Sequence, residues 1–445
     1  MMTAARTLAE FATGLKYEDI PAEVIDRAKT CIIDTVGAMT FGADQPWSRI
    51  IVEYVMRTSA PGKGSIVGTP HRARGQLAAL ANGALAHAFE LDSLCHPSVG
   101  VHPGASLTAP GIPVAQAQGR NGKELLTAFV AGFEVMYRVG DAARHSSEKL
   151  GFHAPGLTGV FGGAIVTGLL MKLDADRMTN ALGVAGSLCS GLLEFSKSGG
   201  GMVKRLHLGR AAEGGALAAT LAREGFTGPA TILEGQFGFL EAYAKEKDPA
   251  RLTQGLGQQW HTLKSMLKRY ACHITAHVPV TAALELRARH GFSGADVASV
   301  SIATNEKVIS HHNITEPQDT MMCQYSVPFC VALALHRDPL DPRVFGEETL
   351  NDRSIREVCR NTRITEFLPA KDRFSTRVTV RLKDGRELVI EAHDFEGMPS
   401  RPLSKEQLRA KFLKLTAGTT AFNPEVVLAR LEALEDHASV TSLLD

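Results

Sequence analysis

Apolar residues recur at three- and four-residue spacing as far as about residue 265, the mark of helices that each bury one face. After Pro21, the residues Val24, Ala28, Cys31, Ile32 and Thr35 fall on one such face. A proline at the start of a helix removes only an amide that would lack a partner anyway. The segments Gly75–Leu91, Gly122–Ala142, Ala175–Phe195 and Leu208–Glu224 repeat the pattern with Ala, Leu and Val inside. Several carry small pairs: Ala131-Gly132, Gly162-Gly163 and Gly214-Gly215. Each glycine costs a helix up to ~1 kcal/mol relative to alanine. Repeated, such pairs point to helices in close contact or to backbone beside a ligand.

From Lys268 the pattern changes. Val297–Ala303 alternates as a strand does. Ser375–Leu382 and Arg386–Ala392 flank Lys383-Asp384-Gly385, and Asp-Gly between alternating runs predicts a hairpin. Helical patterns at Val280–Arg289, Gln324–Leu335 and Asp352–Asn361 lie between, and helix returns in Lys405–Leu415 and Pro424–Leu434. The expected fold class is therefore two-domain: a large all-α helical domain (1–267), a smaller α+β lid domain (268–397), and C-terminal helices (398–445) that pack back on the helical part. A chain of 445 residues also exceeds what one core usually fills.

Charge narrows the partners. With 48 Lys+Arg against 47 Asp+Glu there is no basic excess for nucleic acid or an anionic membrane surface. No uncharged apolar run reaches the ~18 residues of a membrane span. The first twenty residues carry charges throughout and read as neither anchor nor leader. The seven cysteines are scattered and odd in number, which fits a reducing, cytoplasmic compartment rather than a disulfide framework.

Four segments carry candidate chemistry. Glu90-Leu91-Asp92-Ser93-Leu94-Cys95-His96-Pro97, with Val101-His102-Pro103-Gly104, gathers carboxylates and imidazoles at the end of an Ala-rich helix; the plainer reading is a helix end and a surface loop. Gly151-Phe152-His153-Ala154-Pro155-Gly156 sets a histidine before a helix N-terminus, which lowers its proton affinity. The triple glycine after Ser198 precedes Lys204, Arg205, His207 and Arg210, a cationic cluster suited to a carboxylate. It matches neither a phosphate-binding loop nor a dinucleotide fingerprint. Lys268-Arg269-Tyr270-Ala271-Cys272-His273 continues to His277, two histidines at helical spacing without the intervening glutamate of a zinc protease. No third ligand is apparent there, so no metal site is expected.

Taken together, the strings ANGALAHAFELD (81–92), HPGAS (102–106), GKELLTAFVAGFEVMYRVG (122–140), GFHAPGLTGVFGGA (151–164), ALGVAGSLCSGL (181–192), KRLHLGRAAEGG (204–215) and GFTGPATILEGQFGF (225–239) resemble the MmgE/PrpD family. The resemblance implies a helical domain with an α+β lid, a homodimer, no organic cofactor or redox metal, and a di- or tricarboxylate substrate. Activities in that family include 2-methylcitrate dehydratase, cis-aconitate decarboxylase and iminodisuccinate epimerase. The lyases commonly read LDFDDTH where this chain has Glu90-Leu91-Asp92-Ser93-Leu94-Cys95-His96, so Ser93 and Leu94 depart from them while Asp92 and His96 remain. That departure counts against a dehydratase or decarboxylase and leaves the shared proton chemistry intact. Overall similarity, not a diagnostic motif, then makes the epimerase the expected activity: abstraction and return of a proton α to a carboxylate, most simply on iminodisuccinate, with a lyase as the alternative. The expected catalytic residues are Lys204, His102, His153, His273 and Asp92. His96, Arg205, Arg269 and Tyr325 are expected to bind substrate, and the catalytic side chains are expected to converge on one pocket.

Overall fold

The computed structural model describes residues 2–366 and 374–445, apart from Ser98 and Gly199, and divides the chain into two units. The first comprises Met1–Ala88, Asp92–Leu267 and Ser404–Asp445, and the second comprises Phe89–Leu91 and Lys268–Leu403. The fold class is the one expected, a large helical domain and a smaller α+β domain.

In the first unit, helix Ala22–Ala43 buries Val24, Ala28, Cys31, Ile32 and Thr35 on the face their spacing predicts. Helix Ala154–Leu170 packs against Gly122–Ala142 and Val203–Arg223, and the last also packs on Gly75–Ala86. The small residues are what permit these approaches. A Cβ on Gly215 would lie 2.5 Å from the Ala164 nitrogen, and one on Gly83 would lie 2.7 Å from the Leu208 carbonyl oxygen. Helix Lys405–Thr416 lies on Ala22–Ala43, where the buried Lys411 ammonium donates to Asp34.

The second unit carries a four-stranded sheet in the order Thr362–Glu366, Val297–Thr304, Thr376–Leu382, Glu387–Ala392. The first pair is parallel and the others antiparallel, with Val300 opposite Val380 and Val378 opposite Ile390. Helix His277–His290 packs on the hairpin strands. Gly385, in the predicted turn, has φ 92°, a conformation that glycine adopts without penalty.

Several boundaries differ from the periodicity. The helix expected over 75–91 stops at Ala86 with His87 as its C-cap, and Glu90 takes φ 55° as the chain turns back. The helix expected over 175–195 ends at Gly186 in a turn, and Leu192 beyond it bridges to Phe152. The one expected from Leu208 begins at Val203. The helix expected over 324–335 is two, Thr320–Tyr325 and Val327–His336, split at Ser326, whose hydroxyl caps the second by accepting the Phe329 N–H at 2.9 Å. Strand Thr362–Glu366 is a find of the structure: its five residues are too short and too polar to alternate clearly. All seven thiols are free and buried. No helix among the described residues is long and apolar enough to cross a membrane.

Candidate active site

The first unit gathers its polar interior around Asp92. Helix Gly75–Ala86 delivers His87 at its end. Asp92 follows the turn, and a two-residue strand, Leu94–Cys95, then pairs with Ser265–Met266. His96 continues that ribbon, its N–H donating to the Lys264 carbonyl at 2.8 Å. The chain returns at His102, from which a π-turn over Gly104–Thr108 runs into helix Ala109–Gln118. The Ser93 hydroxyl accepts the Gly104 N–H at 3.1 Å, tying the turn after Asp92 to the turn after His102.

One carboxylate oxygen, Asp92 Oδ2, receives both His87 Nδ1 at 2.9 Å and His102 Nδ1 at 2.7 Å. The two rings stand edge to face with centroids 5.1 Å apart. An ionised carboxylate only accepts, so both Nδ1 atoms carry their protons, and in the neutral form of either ring Nε2 is the lone pair. Burial opposes the charge on Asp92, but the two imidazoles outweigh it and hold the carboxyl well below its usual range. Burial drives His87 well below the ordinary histidine range, and the Lys204 ammonium adds to that.

A second imidazole pair stands beside the first. His153 is the N-cap of helix Ala154–Leu170, with its N–H on the Gly191 carbonyl at 3.0 Å. Its Nδ1 lies 3.0 Å from Nδ1 of His207, so one ring donates and the other accepts, and the two hold opposite tautomers. The His87 and His153 rings are 5.9 Å apart, and Phe195 packs edge-on against both His153 and His207. Gly191 is required here: at φ 123°, a Cβ would sit 3.2 Å from the His207 ring. Burial, then His207 and His102, push His153 down to about 3; burial and Lys204 also lower His207.

These depressed histidines fix the sign of the acid response. The unfolded chain protonates His153 from about pH 6.5 downward, whereas the folded chain does so only near 3, so stability is lost as pH falls through that window. Near pH 5 the loss from His153 alone is about 2 kcal/mol, and His87 acts in the same direction. Urea denaturation between neutral pH and pH 5 is expected to show this loss, and the slope is expected to shrink in His153→Gln.

Lys204 and Arg205 occupy the first turn of helix Val203–Arg223, both buried. Arg205 donates from Nε to the Ala88 carbonyl at 3.2 Å and from Nη1 to the Gly201 carbonyl, with its guanidinium 4.5 Å over the Trp47 ring. Its fork thus braces the start of its own helix. Gly199, within the triple glycine, lies outside the described residues.

In the second unit, His273 stacks on His312 at 4.1 Å, with Tyr325 at 5.0 Å and the Thr275 hydroxyl 2.9 Å from His273 Nδ1. Arg269 pairs with Glu396 at 3.3 Å. His277 is taken up by the backbone: its Nε2 accepts the N–H groups of Arg269 and Tyr270 at 3.2 and 3.3 Å, and its Nδ1 faces the His273 carbonyl at 3.3 Å. A buried ion pair joins Lys268 to Glu90 at 2.6 Å.

His87, Asp92 and His102 present ligand-type atoms within 4.8 Å of one another. Ligands at about 2.0–2.1 Å around a tetrahedral zinc lie about 3.3 Å apart, whereas the two nitrogens here sit 2.7 and 2.9 Å from one oxygen. That is hydrogen-bond spacing with the protons in place. Prolonged dialysis against EDTA is expected to leave activity intact; loss restored by a divalent ion would overturn this.

Asp92, His102 and His153 are thus brought together in the first unit, with Lys204 acting on the adjoining His87 and His207 rings. His87 completes the cluster without having been singled out, and His207, expected only as part of the cationic cluster after Ser198, enters it by pairing with His153. His87 sits inside what reads as an uninterrupted helix, and only the break at Ala86 turns it toward Asp92. His207 is equally concealed by its helix; its visible signal is a histidine one turn from Lys204.

Residues 6–252 match the MmgE/PrpD N-terminal domain and residues 270–434 the MmgE/PrpD C-terminal domain. The chain is 34% identical to the cis-aconitate decarboxylase of Aspergillus terreus over 64% of its own length, and the match spans 60% of that enzyme. It is 26% identical to the cis-aconitate decarboxylase-like protein oryM of Aspergillus oryzae over 98% of this chain and 95% of the relative. With the cis-aconitate decarboxylase of Homo sapiens it shares 27% identity over 98% of this chain and 93% of that enzyme.

Proposed function

The chain belongs to the MmgE/PrpD family, and on that premise we propose that it is a lyase acting on a small di- or tricarboxylate, with decarboxylation of a cis-aconitate-like acid as its leading reaction. The observation that carries this reading is the buried cluster in which Asp92 fixes two imidazoles beside Lys204 and the His153–His207 pair. Losing CO2 leaves the electrons of the broken C–C bond on carbon, conjugated with the remaining carboxylate. That negative charge needs a fixed cation, and the carbon needs a proton. In this reading Lys204 stabilises the charge, His102 or His153 moves the proton, and Asp92 fixes the tautomer of His102. The relatives named above are lyases, so the order of the two expectations is reversed: the lyase leads.

Epimerisation of an amino dicarboxylate such as iminodisuccinate is the second reading, and one observation favours it. Ser93 is buried with its hydroxyl accepting the Gly104 N–H, and Leu94 is a buried apolar side chain. No hydroxyl or carboxylate therefore stands at 94, and the one at 93 is engaged by the backbone. Both reactions pass through a carbanion of the same kind, conjugated with a carboxylate, and differ in whether a C–C or a C–H bond breaks to form it. We include in the proposal a cytoplasmic homodimer that works without an organic cofactor.

The test is a panel of di- and tricarboxylates incubated with enzyme in D2O, read by NMR and by CO2 release. Stoichiometric CO2 with one deuterium incorporated supports the lyase. Exchange at the α-carbon without CO2 moves the assignment to the epimerase, and neither signal with any acid overturns both.

A further inference from the structure

We propose that His87 is a positioning residue of this site: by sharing Asp92 Oδ2 with His102, it divides the carboxylate's hydrogen-bonding capacity and sets the pH at which His102 becomes available as a base. The inference rests on the proton-transfer role given to His102 above, and it deepens that role.

The geometry leaves His87 little else to do. It is 1% exposed, its Nδ1 is spent on Asp92, and its Nε2 is buried without a hydrogen-bond partner among the described residues. Asp92 is likewise enclosed, with Oδ1 unpartnered, so both N–H donors converge on the single oxygen Oδ2. A buried carboxylate that accepts one N–H binds an imidazolium strongly, and in a low dielectric little screens that attraction. A second donor on the same oxygen weakens the first. Removing it therefore favours the protonated form of His102, and the base stays occupied to higher pH.

The other charges facing the pair do not substitute for this effect. Lys204 on helix Val203–Arg223 disfavours a positive charge on His87, and His153 and His207 are themselves lowered by burial. Asp34 on helix Ala22–Ala43 feels the Asp92 charge, but its carboxylate is engaged by Lys411. None of these donates to Oδ2 among the described contacts. Burial of His87 is tolerated because a neutral imidazole with one strong hydrogen bond costs far less to bury than a charged one, even with Nε2 unmatched.

The test compares His87→Leu, which removes the donor, with His87→Asn, which offers an amide N–H to the same oxygen. The acid limb of the kcat/KM profile is expected to move up by about half to one pH unit in His87→Leu and by clearly less in His87→Asn. Where His87→Leu does not fold, His87→Phe fills the space without a donor. A purely structural role would lower kcat without moving the limb. A second readout is independent of the reaction. Histidine-labelled wild type is expected to show two downfield imidazole N–H protons, assigned by their absence in His87→Asn and in His102→Asn. In His87→Leu the His102 proton is expected to move further downfield. An unmoved His102 proton, or a limb that shifts equally in both His87 variants, overturns the inference whatever the enzyme turns over. A moved proton with no carboxylate turned over overturns the assigned reaction instead.

Discussion

Lys204→Ala is expected to lower kcat/KM by at least ~10²-fold while the melting temperature changes little. Lys204 is only 4% exposed, on the first turn of its helix, and its charge depresses both His87 and His207. Burying an ammonium carries a desolvation cost that its removal also relieves, which offsets part of what the substitution loses. A carbanion forming next to it gains the full benefit of a charge that is already in place and needs no reorganisation. The two effects separate in one experiment. Activity within tenfold of wild type would remove Lys204 from the mechanism, whereas a large fall in melting temperature would make its role structural. Lys204→Arg keeps the charge but spreads it over a planar fork, and is expected to recover only part of the rate.

How much of this could be read from the residues follows from what each signal depends on. Helix Ala22–Ala43 and the hairpin around Gly385 were legible because their periodicity and turn chemistry are local. The break at Ala86 was not, because every residue from Ala81 to Leu85 suits a helix and the cause of the turn is a pairing completed only when His102 arrives. Asp92, His102, His153 and Lys204 stand out in the sequence as polar groups in apolar stretches, and the structure draws them into one unit. His87 could not be told from an ordinary helix residue, and His207 was legible only as one member of a cationic cluster, since their importance lies in which oxygen or ring nitrogen they face. The Lys268–Glu90 pair shows the same limit: two opposite charges far apart in sequence carry no periodic mark, and only their common burial joins them. The epimerase expectation rested on overall similarity, and Ser93 and Leu94, which only counted against a lyase, speak about hydroxyl groups, not about which bond breaks. The named relatives move the balance to the lyase.

Asp92→Asn tests the arrangement at its centre and is expected to be the most damaging conservative change, lowering kcat by ~10²–10⁴-fold. The substitution keeps shape and volume, so a large effect has to come from protons. Asp92 Oδ2 accepts from His87 and His102 at 2.9 and 2.7 Å, which fixes both rings with Nδ1 protonated and makes Nε2 the lone pair of a neutral His102 ring. An asparagine presents one acceptor and one NH2. If its oxygen stays at the Oδ2 position the two N–H donors remain, but the negative charge that stabilises a developing imidazolium is gone. If the amide turns, its NH2 faces two N–H groups, and at least one ring must move its proton to Nε2, where it blocks the base. Either outcome removes the function of His102 without opening a cavity, so the melting temperature is expected to fall far less than activity. Imidazole 15N shifts distinguish the two, because only the second exchanges the tautomer. An Asp92→Asn enzyme that retains its rate within tenfold and keeps both downfield imidazole protons would show that the carboxylate only holds the loop together. The acid and base would then have to lie elsewhere than on the His102 ring.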